Sequence, residues 1–292
     1  MAETLHPDKR AVRRAFSRAA RTYDAHAVLQ REVGERLIAH LEGIRLEPRR
    51  VLDLGCGTGA FLAPLARRFP GARVTGIDLA LPMLREARGR APWWRRLIAS
   101  SSVASLIGAD AERLPLANAS HEMVFSNLAL QWCRPEVAFA EAARVLAPGG
   151  LFLFSTLGPD TLKELRAAFD AADAGRHVNR FVDMHDLGDA LVHAGFADPV
   201  MEMEVITLEY ASLRGVVADL RAIGAANALP RRPRGLGGQA RWREAEDRYE
   251  RYRRDGSLPA TYEVIYGHAW RAAPRTAPDG RAIMQFHARR PG

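Results

Sequence analysis

The segment that most constrains this chain is Asp53-Leu54-Gly55-Cys56-Gly57-Thr58-Gly59. It stands between a short apolar run at 50–54 and a helical pattern at 60–69, so it reads as the turn from a buried strand into a helix. Glycines at alternate positions remove the side chains that would keep a ligand away from the main chain. Strand, bare turn and helix in that order form the opening unit of an α/β sheet, and ligands of such sheets lie over the carboxyl ends of the strands.

The unit then recurs. Strands are predicted at 73–78, 103–109, 123–127 and 151–155, and helices at 81–90 and 136–146, the last ending at the stop-and-turn signal Pro148-Gly149-Gly150. Alternating β and α units without long gaps imply a parallel sheet covered on both faces. Ahead of them, residues 8–42 carry apolar positions at helical spacing, which predicts one or two amphipathic helices. Behind them the rhythm changes, with helices expected at 160–173, 186–194, 213–225 and 240–254 and strands at 200–208 and 262–270. The segment 91–102, with its Trp93-Trp94 pair and three serines, reads as a surface excursion, and 274–292 as a loose end with a short strand at 282–287.

A chain of 292 residues can bury a large core without staples. Its two cysteines, one inside the glycine turn, argue against a disulfide framework and for a reducing compartment. The N-terminus lacks the apolar run of a signal peptide, and no stretch approaches the roughly 18 apolar residues of a membrane span. The expectation is a soluble, cytoplasmic protein with no membrane partner. Net charge is +8, carried almost wholly by arginine because Lys9 and Lys163 are the only lysines. Genome composition produces such a skew as readily as function does, but a positive surface favours acidic partners, either nucleic acid or an acidic carrier protein.

Gly55, Gly57 and Ala60 also fit the dinucleotide pattern G-x-G-x-x-A, so charge has to separate the two ligand classes. A dinucleotide would set its diphosphate beside Asp53, unfavourable by about 1–4 kcal/mol at a few ångströms. S-adenosyl-L-methionine brings an ammonium and a sulfonium instead, which that carboxylate favours. Asp78, at the end of the second strand, stands where an acid accepts hydrogen bonds from ribose hydroxyls. Asp110, at the end of the third, is positioned to accept the adenine amino group, with Leu54 and Leu79 flanking the ring.

Residues 51–59, Asp78, Asp110 with Leu114-Pro115, the stretch 125–132 and Arg144-Val145-Leu146-Ala147-Pro148-Gly149-Gly150 resemble the successive motifs of class I methyltransferases. Three further segments, at 15–24, 126–133 and 154–165, resemble the malonyl-carrier-protein O-methyltransferase family of biotin synthesis, and the likeness runs from about 8 to 271. The resemblance implies a doubly wound, mostly parallel seven-stranded α/β sheet. It divides the chain into an N-terminal helical lid (1–45), a cofactor-binding core (46–158), the rest of the core with substrate-cap helices (159–273) and a tail (274–292). It also implies S-adenosyl-L-methionine as cofactor, no metal, and malonyl-acyl carrier protein or malonyl-CoA as partner. The cofactor set it implies is Tyr23, Asp53, Gly55, Cys56, Gly57, Gly59, Asp78, Leu79, Asp110, Ala111 and Asn127, with Arg18 closing over the site beside Tyr23.

An acceptor carboxylate arrives ionised and requires no general base, only groups to orient it. Gln131, Trp132, Arg144, His177, Asn179, Arg180 and His185 are the candidates, arginine being suited by its planar fork. The arginines at 231–234 and 241–254, interleaved with Trp242, Tyr249 and Tyr252, form a basic surface on which an acidic carrier could dock. Two other readings stay open at this point. One is a methyltransferase of a small molecule or tRNA, although no RNA-binding module is appended. The other is an assembly factor on the same fold, with arginine hydroxylase or chaperone-like activity.

Overall fold

The apolar run ahead of the glycine turn becomes β1, Arg50–Leu54, in the middle of the sheet. On one side β2 (Arg73–Asp78) pairs parallel to it, with β3 (Ser105–Gly108) beyond. On the other side β4 (His121–Ser126) pairs parallel, followed by β5 (Leu146–Leu157). A long antiparallel pair, β6 (Phe196–Tyr210) and β7 (Leu258–Arg271), completes the order β3-β2-β1-β4-β5-β7-β6, with β7 against β5. The sheet is thus seven-stranded and mostly parallel, as the sequence implied. This computed structural model describes residues 7–90, 105–170, 181–225 and 238–273. The tryptophan pair at 93–94, His177, Asn179, Arg180, the arginines at 231–234 and the short strand expected at 282–287 lie outside the described residues.

The strand order creates the site. From β1 the chain runs outward to β2 and β3, then returns to β4 on the opposite side of β1. Crossovers that diverge in this way leave a crevice over the carboxyl ends of β1 and β4. Both faces of the central strands β1, β2, β4 and β5 are buried, which explains why these strands read as apolar runs, whereas the edge strand β6 is largely exposed. Val51, Met123, Phe125, Leu151 and Leu153 enter one core, whereas Leu52, Leu54, Val124, Phe152 and Phe154 enter the other, by the period-two alternation of a strand. Helices α3 (Val28–Ala39) and α4 (Leu62–Arg68) cover the first core through Leu29, Val33, Leu37 and Leu65. Against the second lie α6 (Pro135–Val145) and α8 (Met184–His193), around Phe139, Phe152, Phe154 and Phe196 with ring centroids 4.9 to 5.6 Å apart.

At the N-terminus the expected one or two helices are three: α1 (Lys9–Ala19), α2 (Tyr23–His26) and α3. The Asp8 carboxylate caps α1 by accepting from the Arg10 amide at 2.8 Å. The Thr22 hydroxyl folds back to the Ala19 carbonyl at 3.1 Å, and Ala27 leaves helical geometry at ψ 46°, so local hydrogen bonding divides a continuous apolar stripe. α1 rests on α5 (Leu81–Arg90) and on α9 (Leu213–Ala222), which places it across the mouth of the crevice. A further difference concerns Pro148-Gly149-Gly150, expected to be a turn between helix and strand. Pairing instead begins at Leu146 opposite His121 and resumes at Leu151 opposite Met123, so these residues bulge out of the ladder with Gly149 at φ 76°.

Gly34, within α3, shows how closely the helix approaches the turn. A Cβ there would meet the Phe61 ring at 2.0 Å. Helix propensity favours Gly34→Ala by up to about 1 kcal/mol, but overpacking costs about 1–3 kcal/mol. The expected outcome is a net loss of roughly 1–2 kcal/mol in urea unfolding, with the slope of the transition unchanged.

Candidate cofactor and acceptor site

Two cavities adjoin over the strand ends. The first is lined by the strand-end residues Gly55, Gly57, Asp78, Leu79, Asp110, Ala111 and Asn127, and by Lys9, Arg13, Phe16 and Tyr23 from the N-terminal helices. The structure therefore brings together eight of the eleven residues expected to bind the cofactor. Asp53 and Cys56 line the inner side of the glycine turn, in a recess shared with Tyr23, Asp24, Gly55, Gly57 and Asn127. Gly59 lines neither space. A Cβ on it would lie 2.9 Å from Ala87, so its part is to let the turn pack on α5.

Gly55 and Gly57 hold φ values of 79° and 53°, a region L side chains rarely adopt. At Gly55 a Cβ would lie 2.3 Å from that of Ala129, while at Gly57 it would enter open space. The turn is held from β2: the Asp78 carboxylate accepts from the Gly57 amide at 3.0 Å and from the Ala80 amide at 2.7 Å. Burial pushes the Asp78 carboxyl up to about 6, and those two amides oppose the shift. Asp53 is only 2 % exposed, and its Oδ2 has no hydrogen-bond partner. Burial, with the Asp78 charge adding to it, pushes Asp53 up to about 8.

The N-terminal helices are fastened at two points that the motif reading missed. At the outer end, the Lys9 ammonium reaches Asp110 at 2.8 Å, Glu112 at 3.0 Å and the Cys133 sulfur at 3.4 Å. Burial pushes the Cys133 thiol up to about 11 against the opposing charge of Lys9. At the inner end, the Thr58 hydroxyl donates to Asp24 at 2.6 Å, and Arg90 pairs with the same carboxylate. Lys9 stood out as one of only two lysines, and Asp24 sits in the quoted segment 15–24, but neither signal names its partner. Asn127 donates to the Gln30 carbonyl at 2.8 Å and accepts from the Ser155 hydroxyl at 2.8 Å, tying α3 to the strand ends.

The second cavity shares Phe16, Tyr23, Leu128 and Trp132 with the first and extends between α9, β7 and α7 (Lys163–Asp170). Gln131 and Trp132 line it, and the Trp132 ring meets Phe16 edge-on at 5.4 Å. No charged side chain among the described residues lines this chamber, so of the expected arginines Arg144 does not reach it, while Arg180 lies outside the described residues. Arg144 is elsewhere, with every guanidinium nitrogen engaged: it pairs with Glu141 at 2.7 Å and donates to the Leu114 and Leu116 carbonyls and to Asn118. It fastens the loop before β4 to α6. Arg18 is exposed and lines neither cavity, and His185 is an exposed residue in the first turn of α8, bound to Asp183 at 2.9 Å.

A bare turn, acids at the ends of β1 and β2, and a seven-stranded sheet with β7 reversed define the class I methyltransferase fold, and residues 52–154 match the methyltransferase domain family. The YcgJ protein of Bacillus subtilis has the same fold, with a TM-score of 0.58 at 14% identity over 82% of this chain and 99% of that one. Closer relatives narrow the class. The malonyl-(acyl-carrier protein) O-methyltransferase of Gallionella capsiferriformans is 54% identical, covering 95% of this chain and 96% of its own. That of Laribacter hongkongensis is 52% identical over the full length of both. The chain belongs to the malonyl-(acyl-carrier protein) O-methyltransferase family.

The residues present suit S-adenosyl-L-methionine. Asp53 Oδ2 is a buried acceptor in need of a donor, which an ammonium supplies and a phosphate does not. The open space beside Gly57 admits a ligand against the main chain.

Proposed function

We propose that this protein transfers a methyl group from S-adenosyl-L-methionine to the free carboxylate of a malonyl thioester carried by acyl carrier protein, in the route to biotin. The observation that supports it most is full-length identity above 50% to enzymes of that name, on a chain whose buried Asp53 awaits a cationic ligand. The cofactor supplies a methyl group activated on a positively charged sulfur. In the transfer a carboxylate oxygen–methyl bond forms as the sulfur–methyl bond breaks, and the electron pair stays on sulfur as a neutral thioether. No proton moves, so no base is required.

The work of the chain is alignment and exclusion of water. Asp53 fixes the amino-acid end and Asp78 the nucleoside end, and Lys9 holds α1 down at the Asp110 edge. Asp24 does the same at the glycine turn through Thr58 and Arg90. Phe16, Tyr23 and Trp132 form the wall between donor and acceptor spaces. The described lining of the acceptor chamber carries no cation, and a carboxylate held without tight ion pairing in the ground state attacks the sulfonium-bound methyl more readily.

In this reading the carrier docks on the outer side of α9. There Arg214, Arg221 and Arg243 surround an open groove with Trp242 of α10 (Gly238–Glu250), while Leu220 of α9 and Ile223 just after it face the chamber. Incubating the purified protein with labelled S-adenosyl-L-methionine and malonyl carrier protein should yield a methyl ester, seen as a 14 Da gain on the acyl group (roughly one CH2). Label appearing on tRNA or a protein arginine, with none on the malonyl group, would overturn the reading.

A further inference from the structure

The chamber next to the cofactor space contains two side-chain oxygens, Gln30 Oε1 and Gln131 Oε1, each buried without a hydrogen-bond partner. They come from separate elements, α3 and the 3₁₀ turn Leu130–Trp132 after β4, yet border the same space. Gln131 cannot be turned round at no cost. Its Nε2 donates to the Leu128 carbonyl at 2.7 Å, and reversing the amide would set oxygen against oxygen. What Gln131 turns to the chamber is therefore an acceptor, whereas no hydrogen bond among the described residues fixes which way the Gln30 amide faces, and the rest of the described wall is largely apolar, with Leu29, Leu157, Leu165 and Ile223 among its members.

A buried acceptor left unpaired is costly, so a ligand that displaces water from this chamber has to bring donors. A carboxylate, a thioester carbonyl and a phosphate offer only acceptors. A secondary amide offers an N–H on an otherwise apolar chain. We propose that Gln131 accepts a hydrogen bond from an amide N–H of the arm that carries the acyl thioester, that the Gln30 amide pairs with an amide of the same arm from α3, and that together they draw that arm through the chamber toward the methyl donor. This rests on the malonyl thioester reading given above. It makes both glutamines specificity residues for the arm rather than for the carboxylate, in a chamber whose described lining carries no cation.

The test compares S-malonyl pantetheine, which has two secondary amides, with the S-malonyl thioester of propanethiol, which has none. The full-length protein is assayed for ester formation with each. Native protein is expected to favour the pantetheine thioester by roughly 10- to 100-fold in kcat/KM. Gln131→Met and Gln30→Met, each near the native volume, are expected to shrink that ratio by about 10-fold apiece. Because each variant serves as its own reference, a general loss of activity or folding cancels from the ratio. A native ratio near one overturns the proposal and leaves the malonyl reading intact, as does a ratio that neither substitution changes. If native protein methylates neither thioester, nor malonyl carrier protein, the underlying reading fails and the proposal with it.

Discussion

Replacing Asp53 with asparagine is expected to raise the dissociation constant for S-adenosyl-L-methionine on the order of 100-fold, while making the ligand-free protein more stable at alkaline pH. Both effects follow from one buried carboxylate. Asp53 is 2 % exposed and has an unpaired oxygen, so its ionised form costs the fold free energy that only a bound cation returns. Its carboxyl is raised above the ordinary aspartate value. Its contribution to stability is therefore present in full at low pH and is lost as pH rises toward and through about 8. An asparagine of the same shape does not ionise, so at pH 9 the ligand-free variant should melt higher, by about 2–4 °C for each kcal/mol recovered. With the ligand present, the variant leaves a buried ammonium without its counter-charge, a loss of about 2–5 kcal/mol. Calorimetric titration and thermal melts of native and variant protein check the two halves separately. Unchanged affinity would remove Asp53 from the cofactor site.

Cofactor affinity should also depend on pH. Asp78 is raised to about 6 and Asp53 to about 8, so ligand-free protein near neutrality holds a proton that an ammonium ligand displaces. Below about pH 8 the affinity is expected to rise with pH by up to about 10-fold per unit, with proton release visible as a buffer-dependent heat of binding. Above about pH 8 the ligand's own amino group loses its charge and the curve turns over. Other titratable groups border the same recess. Burial raises the Cys56 thiol and the Tyr23 phenol, which keeps both neutral across this range, while Asp24 is paired with Arg90. Asp53→Asn should flatten the arm between pH 6 and 8. An affinity that falls with rising pH over that interval would show that the acids do not meet a cation.

Which parts of this were legible before folding can be judged residue by residue. β1 and β2 run where the apolar spacing put them, because a strand buried on both faces has no alternative to a continuous apolar run. Asp78 and Asp110 followed from the same logic, since the residue at a strand's carboxyl end in an α/β sheet faces the crevice whatever lies around it. Arg144 was misjudged as a ligand for the acceptor. A basic residue in a motif gives no hint that a carboxylate one turn away, two loop carbonyls and Asn118 will use all of its donors. Arg18 was misplaced because helical spacing does not show which turn of α1 crosses the crevice, and that position belongs to Lys9, Arg13 and Phe16.

Local order, strand identity and the chemistry of the glycine turn are matters of short-range backbone preference and apolar period, so the linear chain by itself determined them. Tertiary structure alone decided which charges are spent on scaffolding, that Lys9 and Asp24 fasten the helices over the crevice, and that Gln30 and Gln131 share a chamber. Such partnerships join positions up to 124 residues apart, as between Lys9 and Cys133. They depend on distances that exist only once both cores have packed, and no periodicity along the chain encodes those distances.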